Sequence, residues 1–221
     1  MIIQGSSAVD CWKKAMKLVH EKGIDFVDEN NRVCREYANL QIKLNDNTLD
    51  IEKPISLLNS FEEWRYPPLK EIRNVMLAVS PSPYHAYSYG PRIFNFQKKI
   101  NQINNFIIPL LQSKPISRKA VVSLWDPIED SNTLNSDAPG LVMLDFKLRG
   151  NKLNVMGVIR SNDLFFGWPA NIYQMRTLQE YVSKKLGCGL GEIVTFSVSA
   201  HIFKDQAEYI NKILEGLKVI K

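Results

Sequence analysis

The sequence predicts an α+β domain. Three observations carry that prediction. Apolar residues alternate with polar ones in separate stretches, as around Leu40–Leu44 and Val142–Leu148. Elsewhere they recur every three or four residues, as in Val9–Val19 and Ile172–Val182. The two kinds of stretch mix without the regular βα alternation of a doubly wound sheet. No repeat, low-complexity tract or Gly/Ser linker divides the 221 residues, so one domain over 1–221 is expected.

Taken in order, Val9, Trp12, Met16 and Val19 form a helical face behind Ser6–Ser7, and Gly23 ends it. Leu40, Ile42 and Leu44 alternate with polar neighbours, the pattern of a strand with one buried face. Residues 45–68 are polar and contain Pro54, Pro67 and Pro68, which predicts mostly loop; a helix is expected over 69–79. SPSPYHAYSYGPR (80–92) is turn-rich and aromatic, a composition common in binding loops. Phe96, Ile100, Ile103, Ile107 and Leu110 space as a helix disturbed near Pro109, and Ala120–Leu124 reads as a short strand. Val142, Leu144, Phe146 and Leu148 alternate, RGNK turns the chain, and KLNVMGVIR returns, which predicts a hairpin. Ile172, Met175, Leu178 and Val182 mark a long helix stopped by Gly187, expected at the centre of the fold. The β-rich EIVTFSVSAHIF follows, and Ala207, Ile210, Ile213 and Leu214 mark a last helix.

Composition narrows the function. Hydrophobic residues make up 45%, enough for a real core, yet no apolar run approaches the ~20 residues of a membrane span. The N-terminus lacks a basic region followed by an apolar stretch, so no signal peptide is expected. Cys11, Cys34 and Cys188 are odd in number and form no CxxC pair, and His20, His85 and His201 are scattered among them. Neither a disulfide framework nor a metal site is expected, and reduced thiols fit a cytoplasmic protein. The net charge of +5 is spread along the chain and suits an anionic ligand as well as nucleic acid. No GxGxxG, P-loop or HExxH is present.

Four stretches are more peculiar than a core requires. In SRKAVVSLWDP, Arg118 and Lys119 sit before a strand, either as a solvated pair or as a phosphate clamp. RSNDLFFGWPANI crowds Arg160, Ser161, Asp163 and Asn171 beside Phe165, Phe166 and Trp168. Arg and Ser suit phosphate oxygens, and an Asn amide can read a lactam edge such as uracil N3–H and O4. The same stretch also reads as a helix N-terminus with Asp163 as its cap and the aromatics as core. In SAHIF, His201 closes a β-like run, as a structural or a site residue. In AYSYGPR, Tyr89 precedes Gly90, either packed in a turn or presenting its hydroxyl to a ligand.

In this order and at this spacing, the four stretches resemble the thymidylate synthase family, which methylates C5 of dUMP. RSNDLFFGWPANI matches the family pattern Arg-Ser-x-Asp, aromatic or aliphatic residues, then Gly-x-Pro-x-Asn-Ile, and His201 follows Asn171 by the family's 30 residues. SRKAVVSLW is similar to the family's Ser-Arg-Arg ahead of a strand ending in Trp, and YGPR to its Tyr-Gly segment. The resemblance implies a three-layer domain whose twisted mixed sheet forms a homodimer interface. It implies phosphate binding by Arg160 and Ser161 with Arg118 and Lys119 from the partner subunit. Asp163 would meet the pyrimidine region through its backbone, Asn171 would read the uracil edge, and His201 would hold the sugar 3′-hydroxyl. Tyr89 would assist proton removal at C5. A methylene-tetrahydropterin, methanopterin-type or folate, would serve as carrier. The implied partners are a small-molecule nucleotide and a second subunit, with no nucleic acid and no membrane.

Departures accompany the match. Where the family places its nucleophilic Cys after a Pro, twenty residues before the Arg of Arg-Ser, this chain reads Ala138-Pro139-Gly140. Ala170 stands where better-known enzymes carry Phe, Phe203 stands for a Tyr, and the chain stops soon after Phe203. These last features resemble the shorter archaeal branch, thought to use a methanopterin-type carrier. Three functions stay open on this reading: an altered thymidylate synthase-type methyltransferase, a hydroxymethylase or other paralogue on the same site, and a nucleotide-binding homologue without catalysis.

Overall fold

In the computed structural model, which describes residues 1–81, 88–132 and 138–216, the strands form one seven-stranded mixed sheet. β1 (Ile2–Gly5) and β2 (Ile24–Val27) both pair with β3 (Val33–Leu44), parallel and antiparallel respectively. β3 runs antiparallel to β7 (Gly189–Phe203), and β7 parallel to β6 (Lys152–Asp163). β6 then pairs antiparallel with β5 (Leu141–Arg149), and β5 with the edge strand β4 (Val121–Ser123). The predicted hairpin is β5–β6. Its two-residue loop, Gly150 and Asn151, has both φ angles positive (54° and 58°), the requirement of a tight turn matching the strand twist.

A parallel pair needs a crossover, and the predicted long helix supplies it. It runs Gly167–Leu186, buries Ile172, Met175, Leu178 and Val182, and ends where Gly187 turns left-handed at φ 67°. As the seventh helix in chain order it is α7. Its indole and amide side chains fix it to the sheet: Trp168 Nε1 donates to Thr195 Oγ1 (3.0 Å), and Gln179 Nε2 donates to Leu153 O (2.6 Å). α1 (Ala8–Lys22) packs Trp12, Met16 and Val19 on the same side, as the spacing predicts, and Trp12 Nε1 donates to Leu164 O (2.5 Å). Ser7 caps α1, and Asp50 reinforces the cap by accepting from Ala8 N (2.7 Å) and the Ser7 hydroxyl (2.8 Å).

The opposite sheet face is less covered. Met156, Val158, Val194 and Phe196 are only half-buried there, and Val198 is 45% exposed.

Several elements differ from expectation. Inside the stretch expected as loop, α2 (Lys53–Leu58) forms because Pro54 sits in its first turn, where a missing N–H breaks no hydrogen bond. α3 (Leu69–Leu77) ends two residues short of the expected 79. α4 (Tyr89–Phe94) occupies the end of the turn-rich segment. The helix expected from Phe96 does not begin there: Gln97 and Lys98 take positive φ (51° and 57°) and fold Phe96 back onto Ile100. Helical structure resumes as a wide turn at Ile103–Ile107, leading into α5 (Ile108–Ser113). α6 (Pro127–Asp130) is one turn capped by Asp126, and α8 (Ala207–Glu215) is the expected last helix.

Candidate functional site

The carboxyl ends of β6 and β7, the start of α7, the residue before β5 and the first residue of α4 meet at one cleft of about 560 Å³. Parallel register places Asp163 of β6 beside His201 of β7, and Ser161 beside Ser199. Tyr89 reaches the cleft from α4; its hydroxyl accepts from Leu141 N (3.2 Å) and donates to Asn171 Oδ1 at a long 3.5 Å. Gly140 forms the wall between them. A Cβ built there would stand 3.1 Å from Ser161 O and 3.8 Å from the Tyr89 hydroxyl, so a side chain at 140 would enter the cleft.

Asp163 is held by neutral donors. Its Oδ1 accepts from Phe165 N (2.8 Å) and Phe166 N (3.1 Å), which fastens the turn leading into α7 instead of capping the helix as expected, because α7 starts only at Gly167 and has no side-chain cap; its Oδ2 accepts from Gln206 Nε2 (3.0 Å). Buried Gln206 is itself fixed, its Oε1 accepting from Phe203 N (3.0 Å). Burial lifts the Asp163 carboxyl above its ordinary value against those donors, and burial holds the His201 imidazole below its own. Both groups therefore favour the neutral form more than in water.

The cleft gathers Tyr89, Gly140, Ser161, Asp163, Asn171 and His201. Arg160 sits just outside it, its Nε donating to Pro139 O (3.0 Å) and its Nη2 to Ala138 O (2.8 Å). Arg118 and Lys119 are exposed ahead of β4 at the sheet edge and do not line the cleft of their own chain. Of AYSYGPR, Ala86 and Tyr87 lie outside the described residues, as does His85.

The structure adds residues that no motif marked. Tyr66, from the proline-containing stretch, stacks parallel on Phe166 (centroids 4.4 Å apart, 7° between planes), and both line the cleft. Asn162 lines it too and donates to Ser197 Oγ (2.8 Å). Arg32 lies with its guanidinium carbon 3.4 Å from the centroid of the Phe203 ring at the rim and pairs with Asp205 (3.0 Å). Tyr66 and Arg32 come from stretches without a signature and are brought to the cleft by distant elements, whereas Asn162 occupies the variable position of the Arg-Ser-x-Asp stretch.

Chemically the cleft offers a small hydroxyl, an amide that both donates and accepts, an imidazole, a phenol and an aromatic wall, with cations at its rim. Among the described residues no group of His, Cys, Asp and Glu is placed to hold a metal, and no helix is long and apolar enough to cross a membrane.

Comparison with known proteins agrees with this picture. The family model described as thymidylate synthase matches residues 31–218. A protein of Methanococcoides burtonii, named "Putative thymidylate synthase", is 30% identical over 220 residues, covering 98% of this chain and 96% of its own. The deoxyuridylate hydroxymethyltransferase of Bacillus phage SP01 is 32% identical over 144 residues, 60% of this chain and 37% of the phage protein. Among solved structures, the thermostable thymidylate synthase A of Bacillus subtilis superposes with a TM-score of 0.68 at 17% identity, covering 95% of this chain and 84% of that one.

Proposed function

The chain belongs to the thymidylate synthase family, and we propose that its cleft binds 2′-deoxyuridine 5′-monophosphate in the arrangement C5 methylation needs, but without a covalent nucleophile. The observation that carries this reading is the convergence of Tyr89, Ser161, Asn171 and His201 on one cleft whose wall is Gly140. Ser161 and Arg160 take the phosphate, Arg160 leaving the 138–139 carbonyls to do so. Arg118 and Lys119 join them from a second subunit docked on the half-buried sheet face. Asn171 pairs with N3–H and O4 of the base, which favours uracil over cytosine. His201 holds the sugar 3′-oxygen, and with Phe203 in place of a tyrosine no second hydroxyl assists it. Tyr89 lies where a proton leaves C5 through water.

The parallel Tyr66–Phe166 pair and the small Ala170 side chain fit a flat heterocycle laid over the base. A one-carbon tetrahydropterin, methanopterin-type or folate, supplies methylene and hydride when bound. Asp163, kept fixed by Phe165, Phe166 and Gln206, orients the turn that carries Phe166, which would hold that ring. In this family reaction a thiolate adds at C6 and makes C5 nucleophilic; the hydrogen atom of Gly140 cannot do so. The chain as written therefore binds its nucleotide and does not methylate it, in a cytoplasmic setting.

Calorimetry tests this directly. dUMP is expected to bind at least about tenfold tighter than dCMP or deoxyuridine, and equal affinities for the three would refute the reading. Arg160→Ala should weaken dUMP binding, with added salt shrinking the difference. The match to the phage protein favours a second reading, a hydroxymethylating relative. A 5-hydroxymethyl rather than a methyl product from dUMP and a methylene carrier would select it.

A further inference from the structure

Arg176 lies in the middle of α7 and is only 7% exposed, yet its Nε and Nη2 have no hydrogen-bond partner among the described residues. The adjacent Thr177, 1% exposed, leaves its Oγ1 unpartnered as well. Native proteins rarely leave buried guanidinium donors unmade, because a buried charge without a partner is costly. The nearest acidic group does not settle the charge. Glu180, one turn further along α7, already accepts from Arg73 of α3 at 2.8 Å, and Tyr173, one turn back, approaches the same arginine. Arg73, Arg176 and Glu180 together are one negative charge short. The donors present are two N–H groups of a planar fork and a hydroxyl, the set that an oxyanion accepts from.

The location says what could bring that oxyanion. Ala170 and Asn171 of the same helix line the cleft, and Arg176 stands five to six residues beyond them, about 9 Å along the axis. Tyr66, stacked on Phe166 at the cleft, lies just ahead of α3 in sequence, and α3 packs along α7. The seam between the two helices thus leads from the aromatic wall to Arg73 and Arg176.

We infer that Arg176, with Thr177 and Arg73, forms a subsite for an oxyanion, carboxylate or phosphate, on the α3–α7 seam. The oxyanion arrives either as the charged tail of the ring ligand in the cleft or as a free anion. Only the first source rests on the function proposed above.

The test compares the parent chain with Arg176→Met, which keeps the apolar stem and removes the charge, and with Arg176→Lys, which keeps the charge and loses the fork. Without ligand, Arg176→Met should melt at a higher temperature than the parent, because an unpaired buried charge is gone. Inorganic phosphate should raise the melting temperature of the parent, and part of that rise should be lost in Arg176→Met and retained in Arg176→Lys. Calorimetry on the dUMP-loaded chain separates the sources. Tetrahydrofolate, whose tail ends in carboxylates, should bind at least about tenfold tighter than tail-less 6-methyltetrahydropterin to the parent, and not to Arg176→Met. A phosphate effect without that preference assigns the subsite to a free anion. An Arg176→Met variant that melts lower and keeps the whole phosphate response shows that Arg176 is satisfied internally, and overturns the subsite. Failure of dUMP to bind removes the proposed function, while the melting and phosphate measurements still decide the subsite.

Discussion

Replacing Gly140 by cysteine tests the nucleotide site and the missing step separately. The structural cost is small and can be bounded. Gly140 does not have a positive φ, so a side chain strains no backbone angle. Its Cβ would stand 3.1 Å from Ser161 O, a contact that asks a strand carbonyl to give by a few tenths of an ångström. Crowding of that kind costs about 1 kcal/mol, and the loss of glycine freedom in the unfolded chain returns roughly half of it. The melting temperature should fall by no more than about 4 °C in a chain of this size. dUMP affinity should stay within about threefold, since none of the groups assigned to phosphate, sugar or base is altered. Turnover is another matter. Losing a nucleophile that works as part of a unit costs on the order of 10⁴- to 10⁶-fold, so restoring it should raise product formation by several orders of magnitude. The assay is tritium release from [5-³H]dUMP with a methylene carrier, followed from pH 6 to 9. Release should climb with pH as the thiol ionises, near its ordinary value of about 8.5 or below it if Arg160 assists. A variant that binds dUMP, stays folded and releases no tritium with either a folate or a methanopterin carrier would refute the methyltransferase reading.

Other substitutions probe the frame around that site. Asp50→Ala should destabilise by about 1–3 kcal/mol in urea unfolding, through three lost bonds at the start of α1. Burial pushes the Asp50 carboxyl up, but those donors outweigh it and hold it below the ordinary value; this stability is present above the unfolded pKa and disappears as pH falls through the folded one. Gly90→Ala should destabilise and disturb Tyr89, because its Cβ would sit 2.4 Å from Val75 O and 2.6 Å from Ala78 O; thermal melts and dUMP calorimetry read both effects. Burial holds His201 below its ordinary value of about 6.5, so the unfolded chain takes up a proton there that the folded chain refuses, and stability should fall as pH drops through 6.5. His201→Gln should flatten that slope in urea titrations at pH 7.5 and 5.5. Asn171→Asp should shift base preference toward dCMP, measured as the ratio of the two affinities.

The parts of this fold that were legible share one property: their signal is local. The β5–β6 hairpin was marked by alternation on both arms and by Gly150–Asn151 between them, and α7 by a continuous apolar face closed by Gly187. β1 and β2 were not legible, because four-residue strands such as Ile2–Gly5 owe their form to the neighbour they pair with. The helix expected from Phe96 is broken by the left-handed turn at Gln97–Lys98, where Gln97 Nε2 donates to Asp126 (3.1 Å), a partner distant in sequence that apolar spacing does not register. The same division runs through the site. Ser161, Asp163 and Asn171 come from one contiguous stretch that could be read as a unit. Tyr66 comes from a stretch whose prolines read as loop, and Arg176 looks in sequence like any polar residue on a long helix.

His201 shows why spacing can nonetheless carry a site across the fold. It stands beside Asp163 because β6 and β7 are parallel and start together, with Lys152 opposite Gly189. From that level to the cleft, β6 covers the eleven steps to Asp163, about 36 Å. The crossover must return the chain to the same starting level, and the twenty residues of α7 do so over about 30 Å. β7 then climbs the same sheet height to His201. The 30 residues between Asn171 and His201 are therefore the length of a helix plus the strand that retraces its neighbour. Inserting two residues into β7 would leave the helix packed and move the imidazole out of register with Asp163, so the interval is a mechanical constraint of the fold before it is a sequence motif.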